Sequence, residues 1–474
     1  MLKEKILVNP SGAHKSKWNP KHVDIFEMKR IKTFFVSAIG FVAYQFSIGL
    51  PIVICGIMIG TLGDTLSLAV FGLGRTFISV FYVSILTAIT ETLGVNGSKL
   101  YSQKEYTQVG SMLWKTILNV GILNIINAII AYKSYDIMMM VNIDEEVAYF
   151  ASRFLISSIP FLIIQGLNNT FVSFLASQQL NQLFIYINVA SILIMSGSGY
   201  YFIILCRYKH MGFIYAKIIQ ECANFVCYFS IICLQANRET LIFPTPSVVF
   251  RNYWSYFVIM SKTILCFYGE YLGFEITVYF AALLHNINDL ALYCSYVNFS
   301  AVPWFVSNGL GNTFRTIIGK LIGERKFYEA RRTSQQYFVY SFWITCVLTL
   351  LILAFRYEIG YIYTGDEILM FRMGDLLQYY AFIVYAAIGY NSALSLYRLM
   401  GLDNILLRVS TIAYPGLVLV GCSIGCFALN LKVAGLVIGI VIARNCVFIY
   451  VIRKLYYEID WRNPTAILGP TKAN

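Results

Sequence analysis

Residues 34–61 read FFVSAIGFVAYQFSIGLPIVICGIMIGT, twenty-eight positions without one charged side chain. About twenty apolar residues in a helix cross the roughly 30 Å hydrocarbon core of a bilayer, so this run is long enough to span it with tilt. A lone strand of the same composition would leave its backbone unsatisfied in lipid. Comparable runs recur down the chain and predict helices near 67–90, 110–132, 147–172, 181–206 and 211–234. After a polar break come 253–283, 287–311, 334–355, 377–397, 405–429 and 433–453. The expected fold is an all-α polytopic membrane protein of twelve transmembrane helices.

Composition agrees with that reading. Of 474 residues, 58% are hydrophobic and 13% charged, and the mean hydropathy is +0.66. Soluble domains carry about a quarter charged residues. A soluble globule, a disordered chain and a disulfide scaffold are therefore excluded. The 11 cysteines are scattered, without a CxxC or metal-ligand spacing, and only four histidines exist. No Walker loop and no Ser-His-Asp set is present, so neither an enzyme activity nor a cofactor or metal is expected. In a soluble protein the net charge of +12 would suggest nucleic acid; here no such partner is expected, and the charge instead reports topology.

Residues 1–33 hold eight Lys or Arg and no apolar core of a signal peptide. With Lys99 and Lys104, and with Arg315, Lys320, Arg325, Lys326, Arg331 and Arg332, they place three basic segments on one side of a twelve-helix bundle. Asp136, Asp144, Glu145 and Glu146 fall on the other side, with Arg207 and Lys209 as dissenters. Both termini are expected in the cytoplasm, in the plasma membrane or a vacuolar or other endomembrane. Pro244 and Pro246 mark a break at 235–252, and Gly97-Ser98-Lys99-Leu100 recurs as Gly319-Lys320-Leu321. The expected organisation is a cytoplasmic segment 1–33, an N-lobe 34–234, a linker 235–252, a C-lobe 253–453 and a tail 454–474. Two parallel six-helix halves facing one another leave a central cavity, as in transporters.

Charge within the spans costs roughly 2.5–3.5 kcal/mol per group on the insertion scale, so each instance needs a partner, water or a function. The seventh helix carries Glu270 and Glu275, five positions and about 7.5 Å apart along the axis. Burial and mutual repulsion penalise the doubly charged pair, which makes these carboxyls candidate proton carriers. A carboxyl that takes a proton and yields it to an arriving cation is an antiport element. Pairing with Lys262, Arg75 or another cation is the plainer alternative. Gly269 and Gly273 let a neighbour approach beside them, and Tyr268, Tyr271 and Phe274 offer ring faces to an organic cation. Arg75, Thr76 and Asn298 are further candidate substrate contacts. Lys217 and Glu221, one turn apart, are expected to neutralise each other. Pro51, Pro160, Pro303 and Pro415 lie within spans and can bend them.

These residues carry a resemblance. Glu91-Thr92-Leu93-Gly94 with Lys104-Glu105-Tyr106, Asp144-Glu145-Glu146-Val147 with Pro160 and Phe174-Leu175-Ala176-Ser177-Gln178, and the Glu270/Glu275 spacing follow one another in order. Arg398-Leu-Met-Gly401, Tyr414-Pro415 and Gly435-Leu436-Val437-Ile438-Gly439 complete the series. Together they resemble the multidrug and toxic compound extrusion (MATE) family, in its eukaryotic branch. The resemblance implies two six-helix lobes and export of organic, often cationic, compounds driven by protons or sodium, with Glu270 and Glu275 as coupling carboxyls. The chain departs from the family where the first helix has no acid, where Thr76 stands near an asparagine position, and where Gly389-Tyr390-Asn391 lacks a carboxylate. Coupling then rests on the seventh helix, and protons are favoured over sodium. The expected protein is a monomeric carrier in a lipid bilayer, exchanging a small organic molecule for protons. A lipid-linked oligosaccharide flippase is the alternative that Arg75 hints at, and an intramembrane acyl- or glycosyltransferase would have to use His285, Asn286 and Asp289.

Overall fold

A computed structural model describes residues 28–458 and 461, except 179, 181–183, 244, 324–325, 365 and 401–402. Most of the basic segment expected at 1–33 and of the tail at 454–474 lies outside the described residues, as do Pro244, Arg325 and Gly401. Among the described residues there are helices and turns but no strands.

Twelve long helices follow in order. The first six are α1 (Met28–Gly60), α2 (65–102), α3 (Tyr106–Met140), α4 (Glu145–Ser177), α5 (184–205) and α6 (Lys209–Gln235). The second six are α7 (Tyr253–Ala282), α8 (Ile287–Gly323), α9 (Phe327–Ala354), α10 (Glu367–Leu399), α11 (403–428) and α12 (432–458). Each corresponds to one expected span. Among the described residues, nine are long and apolar enough to cross a membrane by length and composition; α7, α8 and α10 are not among those nine. The last two are densely buried along their length, with Tyr293, Tyr296, Tyr390 and Tyr397 almost fully enclosed. Helices shielded by neighbours tolerate polar side chains that lipid would reject.

Several helices outrun the hydrophobic runs that announced them. Helix α10 starts at Glu367, ten residues before the expected 377, because Asp366 accepts hydrogen bonds from Ile368 N and Leu369 N at 2.8 and 3.2 Å. An N-cap of this kind starts a helix in water, ahead of the apolar stretch. Likewise α8 continues to Gly323 through a polar end. The turns that follow α2 and α8 lead into helices starting at Tyr106 and Phe327, 327 − 106 = 221 positions apart, the same spacing that separates Lys99 and Lys320.

Two six-helix lobes result, and α1, α2, α7 and α8 form the seam between them. On the face carrying the α2–α3 and α8–α9 turns, Glu91 Oε1 meets Arg315 Nη1 at 3.5 Å across the seam. Nearby, Tyr253 Oη donates to Asn119 Oδ1 at 2.8 Å, and Thr116 Oγ1 and Tyr256 Oη share a hydrogen bond of 2.8 Å. On the opposite face, Asp64 caps α2 through Ser67 and holds Lys209 at 2.6 Å, which accounts for the dissenting lysine. Burial alone would raise the Asp64 carboxyl, but hydrogen bonds from Lys209 and Ser67 hold it below its ordinary value.

Candidate functional site

Helix α2 is not a uniform α-helix through the seam. Residues Ser79–Val83 form a π-turn, with α-helix before and after. Such single-turn insertions recur at functional sites because they re-aim the residues on either side. The turn before it carries Arg75 and Thr76, which face α7 and α8 of the other lobe.

There Thr76 Oγ1 donates to Glu275 Oε2 at 2.9 Å. Arg75 Nη1 donates to Asn298 Oδ1, also at 2.9 Å, and Asn298 Nδ2 donates to the Val53 carbonyl at 3.4 Å. Four helices, α1, α2, α7 and α8, are thus stitched through one polar knot. Glu275 is 8% exposed, Thr76 2% and Asn298 3%, while Arg75 is half-buried. A small cavity lies among them, walled by Phe71, Val278, Cys294 and Val297. Gly72 closes it on one side: a Cβ there would sit 2.1 Å from Cys294 Sγ, so the approach of α2 to α8 requires glycine.

The structure gathers at this cavity three residues expected to contact substrate, Arg75, Thr76 and Asn298, and one expected to couple protons, Glu275. Tyr268, Tyr271 and Phe274 lie on α7 but do not line it; Phe274 is half-buried against the core. Glu270 is separated from Glu275 and is met by Arg398 Nη2 at 3.5 Å, from α10, with the same guanidinium 4.9 Å above the Phe267 ring. Neither Lys262 nor Arg75 is its partner. Gly273 does admit a neighbour, since a Cβ there would lie 2.8 Å from the Tyr414 ring of α11. Phe71, Cys294 and Arg398 were not singled out as site residues by sequence reasoning; only their placement across the seam gives them a part.

The lobes hold other intramembrane charges in closed form. Lys217 Nζ meets Glu221 Oε1 at 2.8 Å, as expected, and Asn168 Nδ2 donates to Glu221 Oε2 at 2.7 Å. Arg444 is buried with its guanidinium 4.5 Å from the Tyr414 ring centre and 5.1 Å from that of Tyr390. Asp289 is 2% exposed and paired with Arg372, and Asn286 Oδ1 caps α8 by accepting from Asn288 N at 3.0 Å. Two of the three residues a transferase would use are therefore engaged in holding the fold. Among the described residues no cluster of three His, Cys, Asp or Glu is placed to hold a metal.

The MatE family model matches residues 44–200 and 251–424, one stretch in each lobe and well over half of the chain. This chain belongs to the MATE family. It is of the eukaryotic type: Protein DETOXIFICATION 38 of Arabidopsis thaliana is 22% identical over 429 residues, covering 85% of this chain and 80% of that protein. Among solved structures, the eukaryotic MATE transporter AtDTX14 aligns over 93% of this chain and 98% of its own, with a TM-score of 0.78 at 18% identity. An inward-facing multidrug resistance MATE transporter of the MOP superfamily aligns over 89% and 98%, with a TM-score of 0.77 at 12% identity. The chain is thus an integral, multi-pass MATE-family transporter.

Proposed function

We propose that this MATE protein is a secondary active antiporter that exports small organic compounds in exchange for protons by alternating access, with the α7 carboxyls as the coupling site. The observation that carries this reading is the position of Glu275. It is buried on the seam, it accepts hydrogen bonds from Thr76 and Ser79 of the other lobe, and its nearest basic group, Arg75, lies beyond 4 Å among the described residues. A carboxyl so placed gains or loses its cross-seam bond as the lobes separate, which ties its protonation to their relative position. Glu270, salt-bridged within the C-lobe, is the secondary coupling group. Protons rather than sodium fit a site with one carboxylate, the Thr76 and Ser79 hydroxyls and an adjacent arginine, because a neighbouring cation opposes sodium binding.

The carrier works as a monomer, with both termini in the cytoplasm on the evidence of the basic connections, in a plasma or endomembrane. A flippase for pyrophosphate-linked sugars is less well supported: the cavity has one guanidinium, and it shares the space with a glutamate. In proteoliposomes, Glu275→Gln and Glu270→Gln are each expected to lower pH-driven transport of a fluorescent organic cation about tenfold, a barrier change of about 1.4 kcal/mol, while the protein remains folded. Unchanged rates in both variants would refute the coupling role.

A further inference from the structure

We propose that a trough on the outer side of the α1–α8 contact is a binding site for one acyl chain of a bilayer phospholipid. Helices α1 and α9 both pack on α8, which leaves a trough between them with α8 as its floor. Phe46 of α1, Phe299 and Val306 of α8, Leu348 and Ile352 of α9 and Phe355 just beyond α9 are among its walls. Its volume is about 340 Å³, within the range of about 300–1,000 Å³ usual for ligand sites. The seam cavity beside Glu275, at about 10 Å³, has room for one water.

The trough is closed at both ends. At one end Phe34 of α1 reaches across to α8 and α9, its ring centre 6.4 Å from that of Phe314, 4.6 Å from Tyr337 and 5.5 Å from Tyr340. At the other, the short helix Arg356–Tyr363 leans on α1: a Cβ at Gly60 would fall 2.1 Å from the Tyr363 carbonyl oxygen. The Tyr363 ring also meets that of Phe299 edge-on at 5.8 Å. What remains open is the side. Leu351 and Phe355 at the lip are exposed, as are Val347 and Leu350 on α9. In a membrane-spanning helix that apolar exposed face is covered by lipid hydrocarbon, so the trough opens into the bilayer and not into water.

Polarity then selects the occupant. None of the side chains lining the trough is polar or charged. An organic cation there would lack a counter-group at membrane depth, where an unpaired charge is expensive, and water would lack hydrogen-bond partners. Left empty, the lining would forfeit its dispersion contacts on one side. Hydrocarbon restores those contacts without needing a polar partner, and the bilayer presents acyl chains at the opening continuously. Phe46 belongs to the N-lobe and the other walls to the C-lobe, so a bound chain touches both lobes. The site does not depend on proton coupling, and its test involves no transport.

The test uses full-length protein in phosphatidylcholine vesicles that contain phosphatidylcholine with a diazirine midway along one acyl chain. After illumination, adducts are mapped by peptide mass spectrometry. Wild-type protein is expected to carry adducts at the buried walls Phe299 and Ile352 as well as on the exposed Val347 and Leu350. Val302→Trp and Val306→Trp, which each fill the trough from its floor, are expected to lower the wall adducts at least fivefold and leave the exposed ones unchanged. Adducts confined to Val347 and Leu350 in the wild type would overturn the site whether or not either variant folds. Wall adducts that persist in both folded variants would do the same. Loss of the wall adducts alone on adding cholesterol, or on adding rhodamine B ethyl ester, would assign the trough to a sterol or to an organic cation and overturn the acyl-chain assignment.

Discussion

Glu221 in the N-lobe and Glu275 in the C-lobe are both buried glutamates in the apolar interior, 4% and 8% exposed, yet their surroundings differ in kind. Glu221 is enclosed by its own half of the molecule: Lys217 one turn before it, and Asn168 from α4. Glu275 is held by hydroxyls from across the seam, those of Thr76 and Ser79, with a small cavity beside it. The first arrangement is satisfied whatever the lobes do. The second changes whenever they move. Burial of a carboxylate is therefore not itself a sign of transport chemistry; what matters is whether its partners lie in the same rigid body.

That contrast can be broken from the N-lobe side first, where the largest effect is expected. Lys217→Ala leaves Glu221 buried without its cation, at a cost of about 3–5 kcal/mol. The variant should show a sharply lower melting temperature and poor recovery from membranes. Near-normal thermal stability would mean that the pair contributes little and that Glu221 is freer than its contacts imply. A smaller effect is expected at the seam, where Thr76→Val deletes one hydrogen bond to Glu275 and raises the transport barrier by about 1.4 kcal/mol. Proton-driven transport should fall about tenfold with little change in melting temperature. A loss of stability without loss of transport would make Thr76 a packing residue like those around Glu221.

The smallest effect belongs to Asp64, a carboxylate outside the spans with all its partners close by. Asp64→Ala removes the α2 cap and the Lys209 contact, a loss of about 1 kcal/mol. Because the folded carboxyl is held below its ordinary value, its contribution is complete above the unfolded range near 4 and declines as pH falls through the folded value. The difference in melting temperature between wild type and variant should thus be constant near neutrality and shrink in acid. A difference that grew on acidification would contradict the hydrogen-bond assignment at this cap.

All twelve spans could be read from the sequence because a bilayer imposes a length on every one of them and a strongly apolar composition on nine. Their ends were less legible: Asp366 and Glu367 begin α10 in polar sequence that carries no hydropathy signal. Local electrostatics was legible as well, since Lys217 and Glu221 are neighbours on one helix. The knot at the seam was only partly so. Arg75, Thr76, Glu275 and Asn298 each stood out as polar residues in apolar runs, but the Arg75–Asn298 bond joins positions 223 apart and depends on how the lobes meet. For the same reason Arg398 was read as part of a motif and not as the counterion of Glu270. The rings of Tyr268, Tyr271 and Phe274 do not line the seam cavity, since aromatic spacing on a helix does not say which neighbour it faces.

The most direct test of coupling through the seam is transport by wild-type protein in proteoliposomes under an imposed pH gradient, set against an imposed sodium gradient. Rhodamine B and its ethyl ester serve as substrates, so that neither charge class is missed. The account predicts uptake that follows the pH gradient, persists in sodium-free buffer and is lowered about tenfold by Glu275→Gln. Uptake driven by the sodium gradient and indifferent to pH would contradict it.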